Sequence, residues 1–519
     1  MQHPEELHRR FGVLKELIQN ADDAGATKVR FLYDERRNED AQTILIDKGM
    51  KELQGPALWA YNDKVFTQHD FDSFVKLSAA TKEHNQGKIG RFGLGFNAVY
   101  NLTDVPSLVS QNYIVFLDPH TKHLGNAIRD KSRPGIRLNF KTNTKQIQQL
   151  TDQFKPFNGI FGCDFGSEMK TSYPATLFRF PLRTREQAAS SEICKQHYSN
   201  EEMINLLQLL AKSSNNLLLF TQHVRKITIC HLPSESTSPT QMNKWFTVEK
   251  KIENIFRSIC PTGSGDSHLD SAILEAATDD CHYLESAILE AATNLKFDNK
   301  FSKNDKHNLE SSVFLTISTE VSPEVQAIFE AKNTTEENYW LVASCTGKDQ
   351  ALEMACQESD LIAVGGVAAQ FYKSADGFKA ISLASNDTMR GIMFCFLPLP
   401  IKTCFPVHIN GFFAVTSSRM HIFEKDNLDK TDKRALWNEA LIKDAIMQAY
   451  AILLADSAKL CANSMELWPT HKSVKESGIL AHLTEYLYYC IVSDANIKVI
   501  QSNEKLIAIS ECKMLERTF

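Results

Sequence analysis

No C-x-x-C pair occurs among the 12 cysteines, which are scattered from Cys163 to Cys512. That absence removes the common zinc-ribbon and dithiol redox motifs. In a chain of 519 residues such thiols read as reduced and partly buried, so the expected location is cytoplasmic. No apolar run reaches the ~18–20 residues of a membrane helix. The opening Met1-Gln2-His3-Pro4-Glu5-Glu6 lacks the charged-then-apolar pattern of a secretory signal. Charge of one sign is also scarce in excess: 63 acidic against 57 basic residues leave a net charge of -6, well mixed along the chain. With no basic stripe, neither nucleic acid nor an anionic membrane is an expected partner.

What the sequence has is enough length for two or three domains. From Glu5 to Ala24, Leu7, Phe11, Leu14, Ile18 and Ala21 recur at helical spacing, with Gly25 as the stop. Thr27 to Asp34 alternates Val29, Phe31 and Tyr33 as a strand does. Ala57–Tyr61, Tyr113–Leu117, Arg137–Phe140 and Ala175–Leu182 read as further strands. The order is an α+β layer pattern without strict βαβ alternation. Pro233 to Thr240 is a Ser/Pro-rich connector. Beyond it Ser271–Thr278 recurs unchanged as Ser286–Thr293. Two copies are too few for a solenoid. They read as a local duplication in an exposed region or as a partner-binding helix pair. Strands at 313–318, 339–344, 392–399 and 405–415 and a helix through Ile442, Ile446 and Leu453 make the second half α+β. The expected division is 1–232, a connector 233–310, a domain 311–465, and a further segment 466–519 of a longer chain. Gly365-Gly366 reads as a turn or bulge, and His120 and His408 as core or hydrogen-bonded histidines.

Two stretches carry chemistry. Glu16, Asn20 and Asp23 form a polar stripe on the first helix. Gly90-Arg91-Phe92-Gly93-Leu94-Gly95-Phe96 begins 70 residues beyond Asn20 and feeds a second helix. Its glycines permit close backbone approach, and the free N–H groups of a helix start suit an anion. Lys82, Lys88 and Arg91 add positive charge.

The pair resembles the GHKL ATPases, the group of gyrase, the ninety-kilodalton heat-shock chaperone, histidine kinases and MutL. Phe92 to Phe96 is most similar to the chaperone branch, and within it to co-chaperones whose repeated regions each begin with such a domain. Gly55–Leu58, Tyr61–Asp63, Phe116–His120, Phe178–Leu182, Pro406–Phe413 and Leu436–Asn438 extend the likeness across most of the chain. The resemblance implies a two-layer α/β sandwich of Bergerat type followed by a middle-like α+β domain. It implies ATP and Mg²⁺ as cofactors, with Glu16 as general base of a weak ATPase and Asn20 as Mg²⁺ ligand. Asp23 matches the third position of the same helix, Gly90, Gly93, Gly95 and Phe96 would hold the phosphates with Lys82 and Arg91 adding positive charge, Asn62 and Asp63 would meet the adenine, and Thr176 matches a late threonine near the base. Arg419 matches, by position, a middle-domain arginine that reaches the γ-phosphate; a surface arginine pairing with Glu424 is the other reading.

Departures from the pattern matter. The adenine motif D-x-G-x-G is here Asn62-Asp63-Lys64-Val65-Phe66, with no glycine, and the later Gly-Thr is Ala175-Thr176. Two functions follow: a co-chaperone module that binds and slowly hydrolyses Mg-ATP, or a nucleotide-independent scaffold or holdase. Client proteins and other chaperones are the expected partners of both.

Overall fold

A computed structural model describes residues 4–68, 70–71, 96–130, 134–165, 172–257, 288–289, 292–293, 309–358, 360–382, 391–416, 419–424, 432–470, 480, 482–502 and 505–512. The chain forms two units. The first comprises 1–214, 224–249 and 319–336, and the second 215–223, 250–318 and 337–519.

The first unit opens with helix α1 (Pro4–Asp23). Its apolar stripe, Phe11, Leu14, Ile18 and Ala21, is buried as the spacing requires. Gly25 closes it at φ +76°. The Gly25 N–H reaches Asp22 O and the Ala26 N–H reaches Ala21 O, the paired bonds of a Schellman cap. The strands are β1 (Lys28–Asp34), β2 (Ala57–Asn62), β3 (Ser107–Gln111), β4 (Tyr113–Leu117), β5 (Gly135–Asn139), β6 (Tyr173–Pro181), β7 (Lys226–Leu232) and residues 243–249 of β8 (Asn243–Arg257). They run in the order β8-β7-β1-β2-β6-β3-β4-β5. Only the β1–β7 pair in this run of described neighbours is parallel. β8 lies within the stretch expected as a connector.

Strand alternation divides the apolar residues between two faces. Leu32, Trp59, Leu177 and Cys230 join a core with Phe116, Phe154, Phe157 and Ile160. Tyr33, of opposite parity, points to the other face. There its hydroxyl donates to Asn200 Oδ1 at 2.7 Å. Asn200 starts the helix Asn200–Leu217, and Arg10 of α1 bonds Glu202 of that helix at 3.1 Å. The two helices therefore cover the Tyr33 face.

The second unit takes up residues 310–318 of β9 (Glu310–Val321) and 337–346 of β10 (Thr335–Thr346). It adds β11 (Val364–Ser374), β12 (Gly377–Ile381), β13 (Gly391–Cys395), β14 (Leu397–Thr403) and β15 (His408–Gly411). β11 pairs antiparallel with β10, β12 and β15, while β13 and β15 are parallel. Gly365-Gly366 is neither turn nor bulge: both residues sit inside β11, in register with Gly411 and Asn410. The reason is packing. A Cβ at Gly365 would lie 2.5 Å from Ile446 Cγ1 and 2.7 Å from Ile446 N, because the π turn Ile442–Ile446 is pressed against the strand. That turn joins the helices Lys433–Leu441 and Met447–Leu460, whose residues dominate the core. Most of the 271–293 duplication lies outside the described residues. Of the second copy, Ile288 and Ala292 are buried against Leu309 and Val364, so these two positions are not exposed. The described chain is thus a mixed α/β protein with a large, mostly antiparallel sheet.

Candidate functional site

The α1 stripe is built from three unequal members. Glu16 and Asn20 are half-buried, one helical turn apart, whereas Asp23 is exposed on the last residue of the helix. The buried carboxylate is its neighbour Asp22. Its Oδ1 accepts the Val224 N–H at 2.7 Å and so docks the helix end beside β7. Periodicity alone separates the two only weakly, since both sit in the last turn.

The expected adenine corner, residues 62–66, is knitted into the sheet. Asp63 Oδ1 accepts from the N–H groups of Thr27 (2.8 Å) and Lys28 (3.1 Å), and its Oδ2 from Thr27 Oγ1 (2.5 Å). It therefore ties the end of β2 to the start of β1. Asn62 Oδ1 accepts the Lys64 N–H at 3.1 Å, a local turn bond. Thr176 is buried, and its hydroxyl donates to Lys64 O at 2.7 Å. Ser110 Oγ donates to Ala175 O at 2.8 Å and accepts the Phe66 N–H at 2.9 Å, while Gln111 Nε2 holds Phe66 O at 2.6 Å. Ser110, Gln111 and Thr27 were not foreseen; they are distant in sequence, and only strand pairing brings them here.

The side chains at 65 and 66 part company. Val65 is 39% exposed. Phe66 turns inward, with ring centroids 5.4 Å from Phe71 and 6.0 Å from Phe178. Phe96 completes the cluster at 5.6 Å from Phe178. An adenine would need flat space and unsatisfied polar groups at this corner. Instead Thr176, Ser110 and the Phe66 backbone already satisfy one another, and the donor set does not fit a base.

Of the glycine stretch, Lys82, Gly90, Arg91, Gly93 and Gly95 lie outside the described residues. Phe96 begins the short 3₁₀ helix Phe96–Asn101. Arg183 anchors the far end of that helix. It donates to Tyr100 O at 2.5 Å, to Asn101 O at 2.9 Å and to Asp104 Oδ1 at 2.6 Å. A cation at a helix C-terminus is the favourable sign. Burial pushes the Asp104 carboxyl up, but His123, Arg183 and Ser191 outweigh it and hold it down at about 2. Burial likewise pushes His123 down. The attraction of Asp104, 3.9 Å from Nε2, with the Gly49 carbonyl and the Asp118 charge, carries it above its ordinary value.

Arg419 belongs to the second unit. Its backbone is left-handed at φ +54°, and its N–H bonds Thr416 O in a tight turn. His408 is a core histidine, as expected: its Nδ1 accepts the Ile392 N–H at 3.1 Å and its ring stacks on Trp340. His120 is exposed and faces Glu192 at 3.3 Å. Among the described residues no group of three His, Cys, Asp or Glu side chains is arranged to hold a metal ion. No helix among them is long and apolar enough to cross a membrane.

Comparison with known proteins places these features. The chain is 30% identical to human Sacsin over 511 residues, an alignment that takes in 93% of this chain and 10% of Sacsin. It therefore spans about a tenth of the length of that relative. A solved chain described as the N-terminal domain of a DNA repair protein aligns over 79% of this chain and 87% of its own. It is 9% identical with a TM-score of 0.28, which is too low to carry an argument. Residues 6–244 match the model of the Sacsin domain. The chain is accordingly a sacsin-like protein that carries a Sacsin domain within its first half.

Proposed function

We propose that this chain is a chaperone module whose first unit has the two-layer Bergerat architecture and which handles client chains without adenine nucleotide. The observation that carries the reading is the closed corner at residues 62–66. Asp63 accepts three donors from Thr27 and Lys28, and Phe66 fills an aromatic cluster rather than leaving a flat slot. Client proteins and other chaperones are its partners, in the cytoplasm, where thiols stay reduced. The ten cysteines among the described residues are free. The test is calorimetry with millimolar Mg-ATP alongside light scattering of a heat-denatured client enzyme. The expected result is no binding heat, together with suppression of aggregation that neither ATP nor Glu16→Ala alters. Binding that disappears in Asn20→Ala overturns this reading.

A second reading has its own support. Glu16 and Asn20 remain half-buried one turn apart on α1, the places of the base and the Mg²⁺ ligand in the resembled ATPases. On this reading Glu16 is the base, Asn20 the metal ligand and Asp23 the third position of the same helix, while Gly90, Gly93, Gly95 and Phe96 hold phosphates with Lys82 and Arg91 adding charge, and Arg419 is a further cation. The same calorimetry decides between the two.

A further inference from the structure

A cavity of about 470 Å³ opens on the face of the first unit's sheet opposite α1 and the Asn200–Leu217 helix. Its size suits a small ligand. Among the described residues four cations line it, Lys28, Arg30, Lys226 and Lys244, and no carboxylate does. Strand register produces this crowding. The parallel β1–β7 pairing sets Lys28 beside Lys226 and Arg30 beside Thr228, and β7–β8 sets Thr228 beside Thr247. Like charges directly across a strand pair are unfavourable, and Lys28 beside Lys226 is such a pair.

Two observations distinguish the cavity from a merely solvated basic face. The Arg30 guanidinium packs against a pair of touching rings, 5.3 Å from the Tyr61 centroid and 5.5 Å from Phe161, and among the described residues no carboxylate pairs with it. Phe161 reaches that place from a left-handed backbone, φ +47°. Thr247 is 5% exposed, yet its hydroxyl has no hydrogen-bond partner. A buried hydroxyl left unmatched is destabilising unless something accepts from it. At the rim, Lys226 pairs with Glu249 at 2.7 Å and Lys244 with Glu320 at 2.9 Å. Both pairs are exposed and are worth little, so a bound anion can draw these lysines inward.

We propose that this cavity binds a small phosphorylated ligand with an aromatic or apolar body. The Arg30 fork and the Thr247 hydroxyl would take the phosphate oxygens, and Phe161 and Met242 would face the body. A planar guanidinium matches phosphate geometry, and held against the two rings it loses little freedom on binding. The proposal is for binding alone. Burial pushes the Cys230 thiol on the cavity wall up to about 11, against the pull of Arg30 and Lys244, so it stays protonated. The site lies across the sheet from Glu16 and Asn20 and does not depend on the fate of nucleotide there.

The experiment is calorimetric titration of the whole chain with phenyl phosphate and with inorganic phosphate at low salt. Phenyl phosphate should bind more tightly than inorganic phosphate and weaken as salt rises. Arg30→Gln should cost about tenfold in affinity, as expected for a lost charge-assisted contact. Thr247→Val should weaken binding several-fold while leaving the unfolding midpoint unchanged or higher, because it removes an unmatched hydroxyl. Asn20→Ala should change nothing. No binding by the wild-type chain, binding unaltered in Arg30→Gln, or binding lost in Asn20→Ala would each overturn the proposal.

Discussion

Acid should destabilise the second unit through one histidine. His408 is 4% exposed, and burial lowers its pKa to about 3, so the ring stays neutral in the folded chain. Its Nδ1 is already engaged as an acceptor from Ile392. In the unfolded chain the same side chain titrates near ~6.5. The folded pKa is depressed, so its contribution is fully present above the unfolded value and is lost as pH falls below it. Between pH 7.5 and 5.0 the unfolded form gains a proton that the folded form refuses. Linkage sets that loss at about 2 kcal/mol. The figure is insensitive to the folded pKa, since pH 5.0 is well above it. The assay is urea unfolding at both pH values, followed by tryptophan fluorescence, for wild type and His408→Gln. The amide oxygen of glutamine can accept the Ile392 N–H but does not titrate. Glutamine should lower stability at pH 7.5 and shrink the pH-dependent loss by about 2 kcal/mol. Every other titrating group cancels in that double difference. An equal loss in both proteins would refute the reasoning.

Three further outcomes follow from what surrounds single residues. Gly365→Ala should destabilise the second unit by about 1–3 kcal/mol or more, because the new methyl meets the Ile446 backbone rather than a movable side-chain tip. Gly12→Ala in α1, where a Cβ meets nothing within 4 Å, should instead stabilise by about 1 kcal/mol, and thermal melts of both variants check the contrast. Asp63→Asn should cost about 1–2 kcal/mol in urea unfolding through weakened bonds to Thr27 and Lys28, and should leave any Mg-ATP binding heat unaltered.

Local patterns in this chain were legible where one element suffices to define them. The α1 period gave the buried face and its glycine stop, and alternation located β1, β2, β4 and β6 to within two residues at either end. Properties that need a partner from elsewhere were not. The strand β11 was hidden because Gly365-Gly366 carries a turn signature, and its true cause, Ile446, is 81 residues away. Asp63 reads as a free acceptor until Thr27 and Lys28 arrive across a strand pair. The basic cavity was invisible for the same reason: Lys28, Arg30, Lys226 and Lys244 are unremarkable in a chain of net charge -6, and only register collects them.

The clasp at Asp63 also makes the β1–β2 strand end and the basic cavity thermodynamically dependent. The carboxylate holds the Lys28 N–H, while the Lys28 side chain lines the cavity. A ligand that competed for Asp63 would have to slacken the first residue of β1, and with it one wall of the basic cavity. By reciprocity, an anion that stiffened Lys28 would oppose any opening at Asp63 to the same extent. A single strand end would then serve as a two-way lever.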